Sequence, residues 1–443
     1  MKQFNNLTIL ATETSCDDTC MALIKASGRK KPKLNILSNV VSSQVKIHQK
    51  WGGVYPSLAK REHQKMLVPV LMKALSKIKM PKNPKFQISM TKQIPPKQSL
   101  RDATGQANSK FQTVKKILAR EEYLFRKLKK FLTKYQKPKI DFIAVTVGPG
   151  LEPCLWTGVN FAKALSYFWE IPIIPINHIE AHIYANWLPP VGIKSEIRNP
   201  KSKTNSKFQN LKSENLFPAI CLIVSGGHTQ LILMKGFGRY KIIGETRDDA
   251  AGECFDKVAR ILGLGYPGGP VIAAKAAQLK TKNHELKTKL PRPMIHQKNY
   301  DFSFSGLKTA ALYKVKQLTM DRKQLTENQI IALCKETQQA IIDVLIKKTI
   351  KAAKEYKAKT IILGGGVTAN DELRRQLNHQ LKTISPSTLS SGPKGYKLNF
   401  LVPQKNFCTD NAAMIGIAAH YHWLRGKGKN WREITAEANL RIG

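Results

Sequence analysis

Apolar positions fall into short runs bounded by polar turns, and one arrangement of them occurs twice along the chain. Leu7–Ala11 reads as a strand, Glu13–Thr19 (ETSCDDT) as a polar turn and Cys20–Ile24 as a returning strand. Ala219–Val224, Ser225–Thr229 (SGGHT) and Gln230–Met234 repeat it. Farther along each half, an apolar strand runs into a glycine turn and then a helix. Phe142–Val147 leads into Gly148-Pro149-Gly150 and a helix from about Leu155; Thr360–Leu363 leads into Gly364–Gly366 and a helix from about Asp371. The repetition predicts two α/β domains of one design facing a central cleft, over residues 1–177 and 178–443, with the final helix free to pack back on the first. Glycine turns at strand ends would present bare backbone amides there, where an anion can be held.

Length and charge sharpen this picture. At 443 residues and 42% hydrophobic side chains the sequence can bury two cores, which excludes disorder as its dominant state. Lys and Arg number 73 against 30 Asp and Glu, a net charge of +43, so a polyanion belongs among the expected partners. The excess is concentrated. Residues 82–139 carry 16 basic and 3 acidic side chains, and shorter polar insertions run over 194–214 and 385–397. Within the first, Val114–Tyr135 spaces Ile117, Leu118, Leu124, Leu128, Phe131 and Leu132 as a basic amphipathic helix does. Such stretches read equally as solvated lysine-rich loops or as nucleic-acid contacts. Seven scattered cysteines are unlike a disulfide framework and point to a reducing compartment. No apolar run reaches the roughly 20 residues a membrane span needs, and a strand beginning near Leu7 leaves no room for a signal peptide. The expectation is a soluble, cytoplasmic protein with no membrane association.

Candidate chemistry lies in the turns. In Asn177–His182 (NHIEAH) two histidines stand four apart, one helical turn, so His178 and His182 project from one face and can chelate a transition metal. Glu180 lies about 200° around the helix from either and points away. The zinc-protease order, with Glu directly after the first His, is absent because Ile179 stands there. Taken alone the pair also fits two ordinary half-buried histidines. The best third ligand is Asp410, in a polar turn entering an Ala-rich helix, although such an Asp is commonly a helix N-cap. Two nitrogens and a carboxylate with open positions suit iron(II) or zinc. Ser225-Gly226-Gly227 would let backbone amides approach a phosphate, or serve as a plain hairpin turn. Gly364–Gly366 with Val367–Asn370 puts strand, glycine loop and helix in the order anion sites use, without the Lys-Ser/Thr of a Walker loop. Asp256, on a helix before the turn Tyr266–Pro270 (YPGGP), could accept ribose hydroxyls or simply face solvent.

Together these motifs resemble the universal family of tRNA threonylcarbamoyladenosine transferases (the TsaD family) of the actin-like ATPase-fold superfamily. The resemblance is carried by Glu13–Thr19, His48–His63 (HQKWGGVYPSLAKREH), Gly148–Leu151, Asn177–His182, Val224–Thr229, Asp248–Lys257 with Tyr266–Pro270, Asp301–Ala310 (DFSFSGLKTA), Gly364–Asn370 and Cys408–Met414 (CTDNAAM). It implies transfer of a threonylcarbamoyl group from threonylcarbamoyl-AMP to N6 of adenosine 37 in tRNAs reading ANN codons, forming t6A. An actin-like-fold ATPase or kinase, or a metalloprotease-like hydrolase, fits the same motifs less well. The resemblance further implies one divalent metal, iron(II) before zinc, on His178, His182 and Asp410. It places the donor against Val224, Ser225, Gly226, Gly227 and His228, with Asp256, Gly269 and Asn370 holding AMP, and makes Asp17 the acidic residue needed for activity. Implied partners are the tRNA anticodon arm, a noncatalytic TsaB-like paralogue and a TsaE-like P-loop ATPase, or a second copy in a homodimer. Ile223 stands where archaeal and eukaryotic members carry a metal-binding Tyr, which makes the site bacterial in type, and Glu152-Pro153 replaces small residues after the GPGL turn.

Overall fold

The computed structural model describes residues 6–28, 33–83, 108–189, 216–278, 289–320, 324–383, 398–426 and 428–443. The polar insertions at 194–214 and 385–397, and 84–107 of the basic stretch, lie outside the described residues. The chain forms two compact units, each with its own sheet and core.

In the first unit, β1 (Leu7–Glu13), β2 (Asp18–Ser27) and β3 (Lys33–Ser43) form an antiparallel meander, to which β4 (Phe142–Gly148) and β5 (Ile173–Asn177) add in parallel, giving the order β3-β2-β1-β4-β5. Every residue of β4 is buried, as expected of a strand covered on both faces. Helix α1 (Pro56–Leu75) packs on β2. Two further helices follow, α2 (108–117) and α3 (Glu122–Lys134), in place of the single helix predicted over Val114–Tyr135. The break falls at Glu121, whose buried carboxylate accepts a hydrogen bond from Asn160 Nδ2 in α4 (Glu152–Trp169). Val114, Leu118, Leu124, Leu128, Phe131 and Leu132 join the core, so this half of the basic stretch is framework, its lysines lying around an apolar stripe that the unit buries.

The unit's last helix comes from the far end of the chain. Ala412–Trp423 is apolar on nearly all sides, which obliges it to be buried, and it packs on β1 and β2. The helix α5 (His178–Tyr184), following β5 without a loop, packs on that terminal helix. The helix α5 and the terminal helix thus group with the N-terminal sheet, whereas the sequence reading begins its second domain at 178.

The second unit repeats the topology. Strands β6 (Ala219–Val224), β7 (Thr229–Gly236) and β8 (Arg239–Glu245) run antiparallel, and β9 (Thr360–Gly364) and β10 (Asn399–Leu401) add in parallel, giving β8-β7-β6-β9-β10. Around this sheet lie α6 (Ala251–Ile261), α7 (Gly268–Ala276), α8 (Ser305–Thr319), α9 (Glu327–Glu355) and α10 (Asp371–Thr383). The long α9 opens on a capping box: Thr326 Oγ1 accepts from Gln329 N, and Gln329 Oε1 from Thr326 N. None of the seven cysteines forms a disulfide, and among the described residues no helix is long and apolar enough to cross a membrane.

Candidate functional site

Asn177 ends β5 with its side-chain oxygen accepting from the backbone amides of Ile179 and Glu180, a cap that starts α5 at His178. The four-residue spacing then stacks His178 and His182 on one face, their ring centroids 4.6 Å apart and nearly perpendicular. Asp410 meets them from the entrance to the terminal helix. It is not that helix's cap: Asn411 takes the role, accepting from Met414 N, and leaves the Asp410 carboxylate for the imidazoles. Asp410 Oδ1 lies 3.5 Å from His178 Nε2 and 3.3 Å from His182 Nε2, and the three donor atoms all lie within 4.8 Å of one another.

This arrangement fits a metal ion. Ligand bonds of about 2.1 Å at tetrahedral or octahedral angles separate donors by about 3.0–3.4 Å, close to the two spacings from Asp410 to the imidazoles. His182 is buried with Nε2 facing only the Asp410 carboxylate and with no hydrogen-bond partner for Nδ1 among the described residues, a costly state for an imidazole that has no other use. His178 is oriented from behind. Its Nδ1 lies 3.0 Å from Glu13 Oε2 and 3.2 Å from Ser15 Oγ, so Nδ1–H donates to the carboxylate and Nε2 faces Asp410.

Glu13 is fully buried at the end of β1 and is held by Thr146 Oγ1 donating to Oε2 (2.6 Å) and Ser15 N donating to Oε1 (2.5 Å). Burial alone would raise its pKa, but the adjacent His178 charge outweighs this and lowers it. For His178, burial opposes protonation while the Asp410 and Glu13 carboxylates favour it and win, raising its pKa to about 9. Burial lowers the pKa of His182. Sequence reasoning missed Glu13 as a working residue; the available signal was a carboxylate at a strand end two residues before a serine. Glu13→Gln, which puts an amide group among partners matched to a carboxylate, is expected to weaken metal binding roughly 10–100-fold while leaving one ion per chain at saturation, as measured by competition with a chromophoric chelator.

Asp17 sits half-buried in the turn between β1 and β2, whose two ends touch the triad: Ser15 Oγ meets His178, and Cys20 Sγ donates to the Asp410 carbonyl at 3.6 Å. Buried His63, on α1, holds the turn. Its Nε2–H donates to the Cys16 carbonyl (2.9 Å) and its Nδ1 accepts from Thr19 Oγ1 (2.8 Å).

The remaining predicted residues lie in the second unit. Ser225 N donates to the His228 carbonyl and His228 N to Ser225 Oγ, closing a tight turn after Val224. Glycines let segments approach closely here, Gly252 and Gly365 against the turn itself and Gly268 against α6. A Cβ on Gly252 would strike the Ser225 carbonyl, one on Gly268 the Phe255 carbonyl, and one on Gly365, whose φ of +90° itself demands glycine, the Val224 carbonyl. Gly226, Gly227 and Gly269 are different: among the described residues a Cβ there would meet nothing within 4 Å, so no packing between them calls for glycine. Asp256 Oδ1 accepts from Gly268 N (2.7 Å), tying α6 to the YPGGP turn. Asn370 is committed internally, its oxygen capping α10 at Leu373 N and its amide donating to Gln338 Oε1.

Twin sheets of identical strand order, with a His-His-carboxylate centre at the strand ends of the first, define an α/β protein of the actin-like ATPase fold carrying a candidate metal site. The family profile described as tRNA N6-adenosine threonylcarbamoyltransferase (TsaD) matches residues 35–93, 122–196 and 204–417, and the chain belongs to that family. Enzymes of that description from Syntrophomonas wolfei and Thermomicrobium roseum are 37% identical over 415 residues and 39% over 434, each alignment covering 94% of this chain and 92% of the relative. One from Clostridium botulinum is 34% identical over 438 residues, covering 99% and 98%. Among solved structures, full-length HypF bound to phosphate and nucleotide aligns with a TM-score of 0.44 at 11% identity, over 97% of this chain and 57% of that one. The profile passes over 94–121, within the basic stretch, and resumes at the first residue of α3. A protease role fails on geometry as well, because Glu180 turns from the imidazoles to His422.

Proposed function

We propose that this chain forms t6A by moving the threonylcarbamoyl group from threonylcarbamoyl-AMP to N6 of adenosine 37 in tRNAs that read ANN codons. The observation that carries this reading is the convergence of His178, His182 and Asp410 in a chain of the TsaD family. The adenosine N6 bonds to the carbonyl carbon, the bond from that carbon to the phosphate oxygen breaks, AMP leaves with the electron pair, and N6 gives up a proton. N6 is a weak nucleophile because its lone pair is delocalised into the purine. Positioning, and stabilisation of charge on the carbonyl and departing phosphate, are therefore what the protein has to supply.

His178, His182 and Asp410 would hold one divalent ion, iron(II) before zinc, and such an ion supplies Lewis acidity toward a phosphate or the threonyl carboxylate. The Ser225 turn offers the donor its amides, and the open space beside Gly226, Gly227 and Gly269 lets a ligand approach the backbone. Asp256 and Asn370 support that pocket by fixing its turns as well as by any direct contact with AMP, and Asp17 is the acidic residue acting near the triad. The net charge of +43 favours encounter with the tRNA anticodon arm in the cytoplasm. A TsaB-like paralogue and a TsaE-like ATPase, or a second copy of this chain, complete the machinery.

The test is incubation of the purified chain, alone and with such partners, with threonylcarbamoyl-AMP and unmodified tRNA, followed by nucleoside mass spectrometry. Formation of t6A is expected. Nucleotide hydrolysis with no modified base would replace this reading with an ATPase.

A further inference from the structure

The metal ligands come from two helices, and nothing in the ligand set itself holds those helices in register. His178 and His182 ride on α5, only seven residues long, whereas Asp410 stands at the head of the terminal helix. A small rotation of α5 about its axis would swing both imidazoles away from the carboxylate. On the face of α5 turned away from the metal, Glu180 Oε2 lies 2.7 Å from His422 Nε2, and both side chains are buried. One turn on, Tyr184 stacks on Tyr421, ring centroids 4.9 Å apart. His422 lies ten residues into the terminal helix from Ala412, about 15 Å at 1.5 Å per residue, beyond Asp410 just before its start. The imidazoles thus engage the start of the terminal helix and Glu180 its last turn, so α5 is gripped on opposite faces by opposite ends of one element.

We infer that the Glu180–His422 pair is the clamp that fixes the rotation of α5 and so sets the spacing of the metal ligands. Both are positioning residues, and the inference rests on the metal-centre reading given above. Its logic is geometric: the Asn177 cap and the Glu13 and Ser15 contacts to His178 hold the first turn of α5, and a directional contact on the opposite face fixes its rotation. A carboxylate and an imidazole, being directional, hold the angle more tightly than the apolar contacts around them.

The test uses full-length protein and zinc, with affinity read by chelator competition, coordination by the visible spectrum of the cobalt(II)-substituted form, and Tm of the metal-free protein. Glu180→Leu, His422→Leu and the double variant are each expected to lose zinc affinity about 10–100-fold and to shift the cobalt spectrum, with the double no worse than either single because one contact is lost in all three. Glu180→Asp keeps the charge and the fold but shortens the arm by one methylene, and should lose affinity about tenfold; it carries the test if a leucine variant does not fold. Glu180→Gln, which retains an acceptor for His422 Nε2–H, should stay within about threefold of wild type. A fall in Tm with wild-type zinc affinity and an unchanged cobalt spectrum in Glu180→Asp and the leucine variants would show mere structural support and overturn the clamp. Failure of the metal reading would look different, since wild type itself would then bind neither zinc nor cobalt.

Discussion

Replacing His182 by alanine is expected to abolish stoichiometric metal binding and to slow threonylcarbamoyl transfer by roughly 10²–10³-fold, about 3–4 kcal/mol of barrier. The expected effect on stability distinguishes this from ordinary core damage. His182 is 1% exposed; Nδ1 has no hydrogen-bond partner among the described residues, and Nε2 faces only Asp410 at 3.3 Å. In the metal-free protein the ring therefore carries a desolvation cost of about 1–3 kcal/mol for each unsatisfied polar atom, which alanine removes, against the cost of a small cavity. The two terms are of similar size and opposite sign, so the metal-free Tm should change by only a few degrees. Wild type should gain Tm on titration with iron(II) or zinc, by linkage between binding and folding, and His182→Ala should not. A variant that still gains Tm with metal, or keeps its transfer rate, would remove His182 from the centre.

Much of this was legible in the chain because local pattern and tertiary environment agree. The two strand-turn-strand repeats appear as β1-β2 and β6-β7, since fully buried strands read as unbroken apolar runs whatever packs on them. The two histidines and Asp410 were legible from ligand chemistry and helical spacing alone. What could not be read depends on contacts distant in sequence. The break between α2 and α3 involves no Gly or Pro; it follows from Glu121 meeting Asn160, thirty-nine residues away. The grouping of α5 with the first unit depends on an apolar helix from the far end of the chain finding its sheet, and the sequence showed only that this final helix was free to pack back. The role of Glu13 was hidden because the partners that make a buried carboxylate tolerable, Thr146 and His178, lie more than a hundred residues on.

Two glycines in the second unit should respond in opposite ways to valine, and the contrast separates packing from ligand binding. Gly365 has φ of +90° with its missing Cβ directed at the Val224 carbonyl, so Gly365→Val adds backbone strain to a collision with main chain. A loss of about 3 kcal/mol or more is expected, seen as a fall in Tm of about 10 °C. Gly227 has no such constraint; a side chain there meets open space, and Gly227→Val should leave Tm within about 2 °C. On the proposed reading that space belongs to the donor, so the same substitution should raise the KM for threonylcarbamoyl-AMP by about 100-fold, the worth of about 2.7 kcal/mol. Metal content should not change, because the triad belongs to the first unit. If Gly227→Val keeps a wild-type KM, the Ser225 turn is only a hairpin and the donor is held elsewhere. If it unfolds the protein, the openness beside Gly227 is not what makes glycine necessary there.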